Sequence, residues 1–304
     1  MKAPLKTLAL AAVAAMLAGC GGRGVTAPVT PQAFAAPAAA NGAVRTASDF
    51  NSNACPNGEA LFVPNFDIDT VSVLDAATGS LRTTLVAGGL SGPAGAAYNP
   101  ANKVLYVTNW WTTTLSLFNA TTGAPLGVIA NANLVGPYGA AVGPDGKLYV
   151  ANNGSTTVSI VDTAHNNAIL APITGLNGPG GVAVANNRVY VSNMFGNSVS
   201  IFDSSKNNAP VATINGLHSP FGVAVVGTRL YVANESNNTI SVFDTGSLNS
   251  VATLQGNSLN MPFGLASDNA TVFAVDAPTS TISKFTAGNF AAAGTLSGAG
   301  TGMK

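Results

Sequence analysis

Charge is scarce in this chain. Of its 304 residues, Lys and Arg number 12 and Asp and Glu 12, together 8%, where globular domains carry about 25%. The signs cancel to a formal charge of zero, and no stretch is basic enough to neutralise a run of phosphates, which excludes nucleic acid as a partner. Histidine and cysteine occur twice each. A Gly-rich phosphate loop, a His-Glu-x-x-His helix, a Cys-x-x-Cys pair, a haem attachment motif and a nucleophile elbow are all missing, so the common signatures of nucleotide, metal, redox and serine-hydrolase chemistry are missing with them. What is present is apolar surface, at 47% hydrophobic residues, enough to offset the ordering entropy of a core. Gly 34 and Pro 17, with abundant Asn, Ser and Thr, set turns at high density. That composition suits many short strands rather than long helices.

The first residues read as an export signal. Lys2 and Lys6 precede an apolar stretch from Leu8 to Leu17, too short to cross a hydrocarbon layer of roughly 30 Å. It ends in Leu17-Ala18-Gly19-Cys20. That tetrapeptide resembles the bacterial lipobox, which implies that residues 1–19 are a signal peptide and that Cys20 is lipid-modified and opens the mature protein. Loss of Lys2 and Lys6 takes the formal charge to −2. Acyl chains contribute about 0.8 kcal/mol per buried methylene, so the resemblance implies a membrane-tethered exported protein. Gly21 in place of Asp after the cysteine implies sorting to the outer membrane. Residues 20–58 are rich in Ala, Pro and Gly and read as a linker; the 38 residues after Cys20 reach about 35 Å if flexible. Once Cys20 is acylated, Cys55 has no intrachain partner and is expected to be a free thiol near the domain start.

From residue 59 to 304 the chain repeats itself. LFVPN, LYVTN, LYVAN, VYVSN, LYVAN and VFAVD end at Asn65, Asn109, Asn152, Asn193, Asn234 and Asp276, at spacings of 44, 43, 41, 41 and 42 residues. Ten residues after each anchor a second strand ends, at Asp75, Asn119, Asp162, Asp203, Asp244 and Thr286. A Pro-x-Gly element precedes the anchors at Pro93, Pro137, Pro179, Pro220 and Pro262, and a weaker apolar stretch follows each second strand. A unit of about 42 residues with four short strands is the signature of a propeller blade. The expected fold is therefore all-β: a six-bladed β-propeller of four-stranded antiparallel blades over residues 59–304. The first copy lacks its Pro-x-Gly strand, so closure of the ring is expected from residues 43–60, or the first blade keeps three strands. The pattern Pro-x-Gly, LYVAN, ISVFD resembles the YVTN and NHL families of β-propeller repeats. The propeller fold hosts binding platforms, lactonases and lyases alike, so the resemblance implies the fold without choosing among them.

With strands ordered up and down, the loops that follow the anchors share one face with the entries to Pro-x-Gly. Residues there that do not repeat are the candidates for function. Trp110, Trp111, Tyr138, Phe195, Phe221 and Phe263 are expected to line an aromatic mouth for a sugar, glycan, peptide or small apolar ligand. His218 and Glu235 fall on the same face and form a candidate acid/base pair. Asp67, Asp69, Asn152, Asn193 and Glu235 are candidate oxygen ligands for calcium or magnesium. His165 falls in a turn on the opposite face, whose hairpins read as ordinary solvated turns. The composite expectation is a cell-envelope binding platform that requires no cofactor and recognises an unidentified protein, glycan or small molecule by shape and neutral contacts, the shortage of charge weighing against electrostatic steering. The alternative is a metal-dependent lactonase, hydrolase or streptogramin-lyase-like enzyme with its site in the central channel.

Overall fold

The computed structural model describes residues 59–296, apart from 77, 269, 277 and 280, together with the backbone of residues 16–19. Cys20, Cys55 and the linker lie outside the described residues. Six four-stranded antiparallel sheets follow one another in sequence order. Blade 1 comprises residues 16–19 and 59–85, blade 2 residues 93–130, blade 3 residues 137–173, blade 4 residues 179–215, blade 5 residues 220–254 and blade 6 residues 262–296.

The repeat explains the ring. Side chains along a strand alternate between the two faces of its sheet, and in this chain both faces are apolar because both are covered. Leu105 and Val107 pack with Phe62, Val71, Val73 and Leu85 between blades 1 and 2. Tyr106, one position along, packs on the other side with Leu148, Val150 and Val161 between blades 2 and 3. Tyr149, Tyr190 and Tyr231 repeat that placement and are at most 1% exposed. The Tyr231 hydroxyl reaches blade 6, donating to the Ala287 carbonyl at 2.9 Å. The ring closes by the same packing, since Leu61, Val63 and Leu74 of blade 1 meet Phe273, Val275 and Ile282 of blade 6.

The anchor asparagines are structural, as their recurrence implies. Each sits at the end of a strand, and its amide nitrogen donates to two hydroxyls across the hairpin: Asn109 to Thr114 and Ser116, both at 3.0 Å, and Asn234 to Thr239 and Ser241 at 3.1 and 2.9 Å. The amide oxygen of Asn109, Asn193 and Asn234 accepts from the backbone of the loop entering its own blade. Near the axis, the Pro-x-Gly glycines allow inner strands to touch. A Cβ on Gly95 would stand 2.2 Å from the Tyr138 carbonyl oxygen, and one on Gly139 would stand 2.5 Å from that of Gly180.

Closure of the first blade differs from expectation. Its innermost position is taken not by residues 43–60 but by Met16–Gly19, which pairs antiparallel with Glu59–Asn65, Met16 opposite Phe62 and Gly19 opposite Glu59. This strand adjoins the inner strands Pro93–Asn99 and Pro262–Ser267. Met-Leu-Ala-Gly is a run of small and apolar residues, the kind of sequence a slot beside two other inner strands admits. The stretch Asp49-Phe50-Asn51-Ser52-Asn53 is mostly polar.

Candidate functional site

Hairpin geometry gives the disc two faces. The loops following the anchors and those entering Pro-x-Gly form one face, called near; the remaining turns form the far face. On the near face, two repeat positions converge on the axis in two layers. The residue immediately after each of the first five anchors forms the upper layer: Phe66, Trp110, Asn153 and Met194 are half-buried, and Glu235 is 7% exposed. The central residue of Pro-x-Gly forms the lower layer, in which Ala94, Tyr138, Phe221 and Phe263 are buried together beneath Phe66, Trp110 and Met194.

The lower layer is an aromatic plug. Phe221 and Phe263 stack at 3.8 Å between centroids, and Tyr138 meets Phe221 edge-on at 4.6 Å and Phe263 at 5.5 Å. Trp110 stands edge-on to Tyr138 at 5.4 Å. Of the six rings expected to line a mouth, Tyr138, Phe221 and Phe263 are therefore core side chains that close the channel. The other three face outward: Trp110 forms part of the floor, and Trp111 and Phe195, each 66% exposed, occupy the rim. Trp111 and Phe195 are equivalent by repeat, each two residues past its anchor. Each lies over the glycine before its own Pro-x-Gly, Gly92 or Gly178, where a Cβ would collide with the ring. Those glycines have φ of 57° and 62°, the left-handed region that suits glycine.

Two buried polar atoms in this assembly have no hydrogen-bond partner, the Tyr138 hydroxyl and Oε2 of Glu235. Burial pushes both groups up from their ordinary pKa values, and for Tyr138 the Glu235 charge adds to the effect. The two groups therefore interact electrostatically across a gap that no hydrogen bond bridges.

The other candidates do not join them. His218 is exposed, and its backbone, not its ring, meets the Glu235 segment: its carbonyl accepts from the Ser236 amide at 3.4 Å. Asp67 and Asp69 are exposed on blade 1, and an Asp69 oxygen accepts from the Gly92 amide at 2.6 Å. Asn152 and Asn193 use their amide nitrogens on hydroxyls of their own hairpins. Among the described residues, no three His, Cys, Asp or Glu side chains gather as a metal site would require. His165 stands on the far face, paired with Asp162 at 2.9 Å. Asp162 is held below the usual carboxylate range chiefly by that contact.

Sequence reading missed two features. Below the plug a void of about 30 Å³, room for roughly one water, lies ahead of a far-face cavity of about 210 Å³ lined by Tyr98, Val142, Val184, Val225 and Leu265. The far face is thus more than solvated hairpins, because the ends of the inner strands enclose a cavity there. The second is charge placement. The near-face loops of the described residues hold Asp67, Asp69 and Glu235 but no lysine or arginine. The signal was available once loops were assigned to faces, and a net charge near zero concealed it.

These features define a six-bladed β-propeller whose channel is stopped by aromatic rings at one end and open to a cavity of mixed polar and apolar lining at the other. The chain belongs to the family described as Lactonase, 7-bladed beta-propeller, whose profile matches residues 51–263; six blades are formed by the residues described. Solved structures similar to it include virginiamycin B lyase from Staphylococcus aureus, a catalytically inactive variant with quinupristin, at TM-score 0.61 and 13% identity over 78% of this chain and 80% of that one. A nidogen/laminin complex is similar at TM-score 0.60 and 17% identity, over 68% and 80% of the two chains. Kuenenia stuttgartiensis hydrazine synthase is similar at 0.58 and 19%, over 75% and 73%. At these identities the likeness is one of fold. No curated protein matches the chain significantly by sequence.

Proposed function

We propose that the protein is an exported, lipid-anchored propeller whose near face is a ligand-binding platform at the cell envelope. The observation that carries this reading is the pair of equivalent, exposed rings Trp111 and Phe195 beside a half-buried floor of Phe66, Trp110 and Met194. Large rings left in solvent on one face supply contact area at low entropic cost. Both tryptophans of the chain stand there, so intrinsic fluorescence reports the face directly. Trp110→Ala and Trp111→Ala are expected to weaken an identified ligand at least tenfold; unchanged affinity in both would overturn the platform.

Anchoring rests on the lipobox resemblance at Cys20. Labelled palmitate should be incorporated by the wild type and not by Cys20→Ser, which should also leave the membrane fraction. Cleavage before Cys20 would remove Met16–Gly19 and with it the inner neighbour of Glu59–Asn65. The mature chain from Cys20 is therefore expected to melt several degrees below the uncleaved precursor. Equal melting temperatures would mean that another segment of the mature chain fills that slot.

Family membership and the unpartnered Glu235 favour one second reading, lactone hydrolysis or a lyase reaction assisted by a divalent ion. Stoichiometric calcium or magnesium in protein purified without chelator, with a melting temperature that falls in EDTA, would support it. No bound ion and an unaltered melt would remove the metal-dependent form.

A further inference from the structure

Among the described residues, no lysine or arginine stands on the near face to balance Glu235. It is 7% exposed, and its Oε2 has no hydrogen-bond partner. The Tyr138 hydroxyl, 4% exposed and likewise unpartnered, lies within range of its charge. As an anion, an unpaired carboxylate in such surroundings is destabilising unless a cation meets it. The chain could have supplied that cation, since the far-face turns and the strand ends beside them carry Lys103, Lys147, Arg188, Lys206 and Arg229. None of them falls on the near face, where Asp67 and Asp69 add to the same sign of charge. Beside Glu235 in the upper layer stand the Asn153 amide, which donates to the Pro179 carbonyl, and the aromatic and thioether side chains of Phe66, Trp110 and Met194. The negative faces of Trp110 and Phe66 attract a cation, and Met194 is unbranched and adapts its shape to what lies beside it.

We propose that the near face recognises an organic ammonium cation, a protonated amine carried on an aliphatic chain. The proposal rests on the platform reading and names the class of ligand. The ammonium N–H groups donate to Oε2 of Glu235 and to the Tyr138 oxygen. The methylenes lie on Trp110 and Phe66, Asp67 and Asp69 draw the cation to the face, and rotation of Met194 opens the path.

The test compares n-pentylammonium with n-pentanol, a neutral chain of the same length, by tryptophan fluorescence on the wild-type protein and on Glu235→Gln. The expected result is saturable binding of pentylammonium, at least tenfold weaker binding of pentanol, and a loss of at least tenfold for pentylammonium alone in Glu235→Gln. Glutamine keeps the shape and removes the charge, so a merely structural role for Glu235 would change both probes together or neither. Saturable binding of both probes without preference, or pentylammonium binding that survives in Glu235→Gln, overturns the cation inference and leaves the platform standing. No saturable binding of either probe overturns the inference as well; the platform is then judged separately, by whether Trp110→Ala and Trp111→Ala alter the binding of neutral glycans or apolar ligands.

Discussion

The two faces of the disc are built from the same repeat and treat charge in opposite ways. On the far face four carboxylates are paired with lysine or arginine: Asp75 with Arg82, Asp203 with Arg188 and Lys206, Asp244 with Arg229, and Asp145 with Lys147; Asp268 instead accepts from the Ala270 and Thr271 amides. Asp203 and Asp244 are held below the usual carboxylate range, the first chiefly by the Ser205 hydroxyl and the second chiefly by the Ser247 amide. On the near face Glu235 and Asp276 are buried with no cation beside them among the described residues, and both are pushed up by burial. The scaffold does not require the far-face pairs, since Asn119 and Thr286 stand at the repeat position that Asp75, Asp203 and Asp244 occupy in other blades. The difference therefore records what each face does beyond folding. The far face balances most of its own charge, and the described part of the near face leaves its charge for something else to balance.

The largest expected effect comes from opening the plug. Phe221 is 4% exposed and lies between Tyr138 and Phe263, and Phe→Ala in a packed core costs about 3–5 kcal/mol. Phe221→Ala should lose stability on that scale in chemical denaturation. A loss below about 1 kcal/mol would mean that the rings are a loose lining after all, and would return Tyr138, Phe221 and Phe263 to the ligand-binding surface.

Sequence made the blades legible for a physical reason: every repeated residue answers a demand that recurs six times. Tyr106, Tyr149, Tyr190 and Tyr231 each fill an interblade space, and Asn65, Asn109, Asn152, Asn193 and Asn234 each bridge a hairpin, so alignment alone exposes them. The outer strands also fall where a weaker apolar stretch was expected after each second strand, as at Ala168–Ile173 and Ser250–Leu254. The site was harder to read. Trp110 and Trp111 are neighbours in sequence, yet one faces the axis and the other the rim, because the upper layer takes only the first residue past each anchor. Glu235 was visible as an acid but not as an unpartnered one, since its isolation depends on Tyr138 from another blade and on the cations that its face lacks. Closure by Met16–Gly19 was illegible because that stretch resembles a signal peptide and shares no repeat motif.

A smaller effect is expected at the one anchor that breaks the pattern. Asp276 stands where the other blades have asparagine, and burial pushes its pKa up to about 6 against the contacts from Ser283, Asn260 and Thr281. Ser283 has one hydroxyl hydrogen and two acceptors at 2.7 Å, the Asn257 carbonyl and Oδ2 of Asp276, so a protonated Asp276 relieves the competition. The folded state holds this proton more tightly than the unfolded chain does. Its stabilising effect is complete below pH 4 and is lost as pH rises through 6. Asp276→Asn supplies a permanent donor and should raise stability by about 1–2 kcal/mol at pH 7.5, with little change at pH 4. Stabilisation equal at both pH values would show that the aspartate is already satisfied as an anion, and the contrast between the faces would then rest on Glu235 alone.

The smallest effect should come from the far face. Arg229 pairs with Asp244 at the start of a strand, and both side chains are about one-third exposed. Exposed pairs lose much of their Coulomb energy to solvent and ions, and Asp244 keeps its contacts from the Gly246 and Ser247 amides without the arginine. Arg229→Ala should therefore shift the melting temperature by no more than about 2 °C and leave ligand binding at the near face unchanged. A comparable charge added to the near face is the informative counterpart. Ser236→Lys places a cation one residue from Glu235 on an exposed loop, where folding has room for it. If that variant keeps the wild-type melting temperature yet loses pentylammonium binding, the absence of cations on the near face is a property of recognition. If binding is unaffected, that absence has no bearing on the ligand.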